Sequence, residues 1–235
     1  MQLDKLVLCG LDDGFIDYHS LSHAAHQDIV VPFRSLQEAA RADGFELVIA
    51  SGYRGFTRQL AIWNDKVQGN RPVLGADGVP LDVTVLSEWQ LVQAILHWSA
   101  LPGASRHHWG TDIDIYDRSA VAEDYRVQLT TAEVTGDGPF SALHEWLDAK
   151  IASDDARGFF RPYQFDHGGI APERWHLSYA PLAAEYQRAL STDYLLDVLH
   201  SQPVLLKDIL VAHIDEIYHR YIVVDRSSYP LTFRW

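Results

Sequence analysis

Apolar positions recur along this chain with two different periods. Across residues 26–44, HQDIVVPFRSLQEAARADG, Ile29, Phe33, Leu36 and Ala40 fall at helical spacing and Gly44 follows as a stop. The next run, FELVIAS at 45–51, is short and apolar, as a buried strand requires. TRQLAIWNDKV (57–67) and SEWQLVQAILHWSAL (87–101) read as helices, the second opened by Ser87 with Gln90 three residues on, a capping-box pattern. Between them, NRPVLGADGVP (70–80) has the glycine and proline content of a loop. TDIDIYD (111–117) changes period: polar and apolar residues alternate, so Asp112 and Asp114 share one face of a strand and Ile113 and Ile115 the other.

PFSALHEWLDAKIA (139–152) reads as a helix with Pro139 near its start, and RWHLSYA (174–180) as a strand. From 181 onward the pattern is helical throughout, in PLAAEYQRAL, TDYLLDVL and LKDILVAHIDEIYHRYIV. The chain therefore reads as an α+β body, residues 1–180, with a helical C-terminal extension, 181–235, packed on it. The apolar positions of that extension suit either the body or a second subunit, which leaves a homodimer open.

Charge narrows the class of partner. Nineteen Lys plus Arg against 32 Asp plus Glu give a formal charge of −13, which repels a nucleic-acid backbone and an anionic membrane surface. No run approaches the roughly 18–20 apolar residues of a membrane span, and the first residues, MQLDKLVLCGLDDG, lack a cationic leader and a long apolar region. Cys9 is the one cysteine, so no internal disulfide forms. A cytoplasmic protein without nucleic-acid or membrane partners is the expectation.

The chemistry gathers in SRHHWGTDIDIYD (105–117) and ERWHLSYAP (173–181). Two imidazoles and one carboxylate are a known three-ligand set for catalytic zinc, and a further carboxylate beside it can serve as a general base. His107 and His176 supply the imidazoles, while spacing alone leaves either Asp114 or Glu173 as the third ligand. Two aspartates on one strand face repel each other unless something positive lies nearby, and a bound cation or an arginine would answer that.

These residues carry a family resemblance. Ser105-x-His107-x-x-Gly110-x-Asp112-x-Asp114 resembles the Ser-x-His-x-x-Gly-x-Ala-x-Asp motif of the VanY-like D-alanyl-D-alanine carboxypeptidases and the related D-Ala-D-Ala dipeptidases. Glu173-x-Trp175-His176 resembles the Glu-x-x-His that follows it, SGYRGFTRQLAIW (51–63) the upstream Ser-Gly-Tyr-Arg segment, and PGAS (102–105) the Pro-Gly lead into the first motif. The resemblance implies a small antiparallel sheet carrying the zinc site, flanked by helices. It implies one zinc ion held by His107, Asp114 and His176, with Glu173 as catalytic base and Arg54 facing the developing oxyanion. Ser105 and Gln59 match positions near the substrate. The implied activity is hydrolysis of a short peptide or muropeptide by a metal-activated water, as a D,D- or L,D-carboxypeptidase.

The competing class is a non-catalytic zinc-binding module of the same fold, but binding alone needs neither Glu173 nor Arg54. Asp112 stands where the family usually has Ala. An ion pair or hydrogen bond that shapes the strand is the favoured reading for it, ahead of a contact to a substrate amine. His108, next to a ligand in an extended chain, would point to the opposite face. Trp109 reads as packing, ahead of a cleft-lining role, and His167 as a loop residue near Glu173 for which contact with substrate is the less favoured reading.

Overall fold

The computed structural model describes residues 4–235. Helix α1 (Lys5–Leu8), capped by Asp4, leads into a two-residue antiparallel pair, β1 (Ile16–Asp17) and β2 (Ala25–His26). Helix α2 (Val30–Ala42) follows, and Gly44 at φ +94° turns the chain into β3 (Leu47–Ser51). Helices α3 (Phe56–Val67) and α4 (Glu88–Trp98) come next, the latter opened by a Ser87–Gln90 capping box. The body continues with β4 (Asp112–Asp117), α5 (Thr131–Val134), α6 (Ser141–Ala152), β5 (Phe159–Phe160) and β6 (His176–Tyr179). Pro139 lies just ahead of α6 rather than inside it.

Strands β3, β4, β6 and β5 lie side by side in that order, every pair antiparallel. Alternation gives the sheet two unlike faces. Leu47, Ile49, Ile113, Ile115 and Leu177 form the apolar one and pack on Ile29 just ahead of α2, on Phe33 and Leu36 of α2 and on Leu143 and Leu147 of α6. Each such fully buried side chain contributes roughly 1.5–3 kcal/mol of transfer free energy. The polar face carries Asp112, Asp114, His176 and Ser178, with Asp114 opposite His176 and Asp112 opposite Ser178. A register shift between Ile49 and Ser51 brings Ser51 opposite Asp114 on that same face.

The chain then runs through α7 (Ala180–Ala189), α8 (Thr192–Ser201), α9 (Lys207–Ala212) and α10 (Ile214–Ile217). Tyr186, Leu195, Leu199, Leu210, Ile217 and Tyr229 share one apolar cluster with Trp63 of α3 and Val92 and Ile95 of α4. The helix expected over 206–223 is interrupted. His213 leaves helical geometry at φ −115°, ψ 19°, where its ring stacks on Trp89 with 3.9 Å between centroids, and Tyr218–Ile222 forms a wider π turn. Among the described residues no helix is long and apolar enough to cross a membrane.

Candidate active site

The polar face of the sheet opens into a cavity of about 280 Å³ whose walls include Arg54, Ser105, His107, Asp114, Glu173 and His176. The sheet supplies Asp114 and His176 directly, as cross-strand partners on β4 and β6. His107 comes from the 3₁₀ turn Arg106–Trp109, which ends at Gly110 with φ +66°. A Cβ at Gly110 would lie 2.6 Å from the His26 amide nitrogen, so only glycine fits this turn against β2. Glu173 sits on the loop entering β6, three residues before His176 and 3.7 Å from its Nδ1.

Ligand atoms of His107, Asp114 and His176 all lie within 4.8 Å of one another, and the three residues are buried. His107 Nε2 is 3.4 Å from Asp114 Oδ2, and His176 Nδ1 is 3.1 Å from Asp114 Oδ1. Donors bound at 2.0–2.1 Å around a tetrahedral ion stand about 3.3 Å apart, so the donor set fits zinc in both chemistry and spacing. The imidazoles are oriented from behind: His107 Nδ1 meets the Asp112 carbonyl oxygen at 3.1 Å, and His176 Nε2 meets Asp112 Oδ1 at 2.9 Å. The face pairing expected for Asp112 and Asp114 is present, but Asp112 points to the far side of the His176 ring.

Asp112 is fully buried and its positive partner is Arg106, whose Nε donates to Oδ1 at 2.8 Å. Thr111 Oγ1 and Ser178 Oγ donate to its other oxygen at 2.7 and 3.0 Å. Asp112 lies off the cavity wall, out of reach of a substrate amine. Arg106 is itself 2% exposed. Its remaining nitrogens donate to Ser178, Gln187 and Tyr229, and its guanidinium lies over the Trp109 ring at 4.7 Å.

Arg54 Nη1 donates to Gln59 Oε1 at 2.9 Å, and Gln59 Nε2 donates to the Ala100 carbonyl at 2.7 Å. Gln59 is fully buried and is absent from the cavity wall; the structure places it beneath Arg54, because α3 turns it inward with both ends engaged. Ser105 lies on the wall, and its carbonyl accepts the His108 amide in the turn. His108 does not swing to an opposite face as in an extended chain, because residues 106–109 are a 3₁₀ turn. It is buried, with Nδ1 against the Arg54 carbonyl and Nε2 accepting from the Gly103 amide. Trp109 packs in the core, its indole donating to the Leu8 carbonyl. His167 is exposed and borders a neighbouring cavity instead.

Burial sets the electrostatics. It pushes the Glu173 carboxyl up to about 7, with the nearby Asp114 charge adding to the rise and His176 and Arg54 opposing it. Burial lowers His107 to about 4 despite the opposing pull of Asp114. His176 goes the other way, to about 10: burial lowers it, and the carboxylates of Asp112 and Asp114 on its two nitrogens more than reverse this. The two carboxylates thus favour positive charge on or beside the His176 ring. Burial also lowers the Arg54 guanidinium, partly offset by Asp114.

Several wall residues escape sequence reasoning. Lys66 of α3, which donates to Ser99 Oγ at 2.7 Å, adds a second cation to the cavity, with its pKa lowered by burial. Trp98, Tyr163, Ile170 and Trp175 line the same space, the Tyr163 ring 5.0 Å from the His176 ring. Helical periodicity on α3 gave Lys66 only a place near the C-terminal turn, and nothing in the pattern around 163–170 marked a wall.

Residues 22–182 match the family model VanY: D-alanyl-D-alanine carboxypeptidase. An uncharacterized Haemophilus influenzae protein is 46% identical over 83 residues, covering 35% of this chain and 57% of that protein. A D-alanyl-D-alanine carboxypeptidase of Enterococcus faecalis is 28% identical over 177 residues, covering 72% of this chain and 54% of that one. This chain thus spans little more than half the length of either relative. The solved structure of VanYB in complex with D-Alanine-D-Alanine aligns at 23% identity with a TM-score of 0.49, over 77% of this chain and 87% of that one. The match over most of its body places this chain in the VanY D-alanyl-D-alanine carboxypeptidase family.

Proposed function

We propose that this protein is a zinc-dependent carboxypeptidase that removes a terminal D-alanine from short peptidoglycan-type peptides. One observation carries the reading: a single cavity brings together a buried His107–Asp114–His176 donor set, the carboxyl of Glu173 and the guanidinium of Arg54. The family match and the activity in the name of the Enterococcus faecalis relative support the choice of substrate.

His107, Asp114 and His176 would hold the zinc, which would supply Lewis acidity toward a water and the scissile carbonyl. Glu173, on the cavity wall 3.7 Å from His176 Nδ1, would take the proton of the attacking water and return it to the departing amine. Arg54, half-buried on the cavity wall, holds a positive charge where it would stabilise the developing oxyanion more than a fully solvated cation could. Gln59 fixes the Arg54 fork from beneath, and Ser105 lies on the wall.

The test is mass spectrometry of digests of muropeptide stems that differ in length and terminal stereochemistry, with zinc quantified on the same preparation. The expected result is one zinc per chain and loss of a single terminal D-alanine. One equivalent of zinc with every stem intact would favour the non-catalytic binding module, and a protein without zinc would sink both.

A further inference from the structure

We propose that Asp112 is a positioning residue for both imidazoles of the metal site, and that Arg106, gripped by the C-terminal segment, keeps Asp112 in place. The inference rests on the reading that His107, Asp114 and His176 hold zinc.

An imidazole that ligates through one nitrogen carries a proton on the other, and that proton needs an acceptor to set the tautomer and the ring angle. The two rings here solve the problem in opposite senses. His107 turns Nδ1 to the Asp112 carbonyl oxygen at 3.1 Å and leaves Nε2 toward Asp114. His176 turns Nε2 to Asp112 Oδ1 at 2.9 Å and leaves Nδ1 toward Asp114. One residue therefore supplies both acceptors, one from its backbone and one from its side chain.

The carboxylate cannot swing away. Oδ1 also accepts from Arg106 Nε, and Oδ2 accepts from Thr111 and Ser178, so each oxygen has two donors. Arg106 also explains how a second carboxylate sits against His176 without drawing the cation from Asp114. Its other nitrogens meet neutral acceptors, so the one carboxylate it neutralises is Asp112. Two of those acceptors, Gln187 of α7 and Tyr229, come from beyond the segment 22–182 that matches the family model. The aspartate that departs from the family motif and the extension that lies outside it thus belong to one assembly.

A plain strand-shaping ion pair would leave the metal indifferent to Asp112, and this separates the two roles. Zinc affinity of the full chain would be measured by competition with a chromophoric chelator for wild type, Asp112→Ala and Asp112→Asn. Long-range ¹⁵N NMR of the zinc-loaded wild type would read the tautomers. Expected are zinc on Nδ1 of His176 and on Nε2 of His107, with affinity weakened about 10- to 100-fold in Asp112→Ala. Asp112→Asn, which keeps an acceptor oxygen of the same shape, should regain a substantial part of that loss. Zinc on Nε2 of His176 overturns the proposal without any variant, so a misfolded Asp112→Ala protein does not protect it. Equal zinc affinity in wild type and Asp112→Ala, with His176 signals unchanged, overturns it as well and leaves the metal site standing. Wild type that binds no zinc instead removes the metal-site reading beneath it.

Discussion

Arg106→Met tests the electrostatic logic beneath the site. Arg106 and Asp112 are 2% and 0% exposed, and the substitution leaves the buried Asp112 charge facing only the His176 ring, which Asp114 also holds. Removing one partner of a buried pair costs about 3–5 kcal/mol, mainly the penalty of the abandoned charge. For a chain of this size each kcal/mol shifts the melting temperature by about 2–4 °C, so a drop of roughly 6–20 °C is expected. Thermal and urea unfolding should be followed by circular dichroism in excess chelator, because bound metal would add its own linkage to stability. The double variant Arg106→Met/Asp112→Asn removes the orphaned charge, keeps one oxygen to accept from His176 and offers an amide from which the Thr111 and Ser178 hydroxyls can accept, so it should regain about 2 kcal/mol or more over the single variant. Adding salt should leave both differences nearly unchanged, since a buried pair is poorly screened. A cost below about 1 kcal/mol for Arg106→Met, or a double variant no more stable than the single one, would refute the reasoning.

Glu173→Gln should retain zinc while turnover of a D-alanine-terminated peptide falls about 10²- to 10⁴-fold; near-normal hydrolysis would remove Glu173 from the chemistry. His144 is fully buried, with Nε2 unpartnered and its pKa lowered to about 2 by burial, reinforced by Arg161 and Arg174. The unfolded chain protonates this ring below about 6.5 and the folded one does not, so stability falls as the solution is acidified through that value. From pH 7 to 5 the loss from His144 is about 2 kcal/mol. His144→Leu should unfold with that much less acid sensitivity than wild type in chevron or urea titrations at the two pH values, and parallel profiles would count against the assignment. Gly110→Ala, with φ +66° and a Cβ driven against β2, should cost about 2 kcal/mol or more in urea unfolding. Gly44→Ala, at φ +94° with open space around it, should cost only about 1, and equal costs would show that the contact with β2 is immaterial.

Alternation in TDIDIYD was enough to place Asp112 and Asp114 on one face, because a strand's period of two holds whatever the strand pairs with. The direction of His108 was misread for the complementary reason. A 3₁₀ turn has no such two-fold rule, and nothing in SRHHW distinguishes it from extended chain. The same turn aims Arg106 at Asp112, so the arginine considered as an answer to the paired aspartates was six residues away and went unnamed. Gln59 shows a different limit: spacing from Arg54 was visible, but which side of α3 faces the cavity depends on how the helix docks. In the C-terminal segment, helical periodicity runs unbroken through His213, and the break there coincides with stacking on Trp89, a contact too distant in sequence to leave a local pattern. Contacts from Gln187 and Tyr229 to Arg106 span 81 and 123 residues and leave no local trace.

The grip of Tyr229 on Arg106 also has a meaning in time. A growing chain presents His107, Asp114 and His176 when Tyr229 is still 53 residues from being made. At roughly 5–20 residues per second that gap lasts about 3–10 s. During it His107, Asp112, Asp114 and His176 exist while Arg106 still lacks its Tyr229 acceptor, so the outer support of the Asp112 carboxylate is incomplete. A copy that ends before Tyr229 lacks one of the acceptors that hold Arg106 against Asp112.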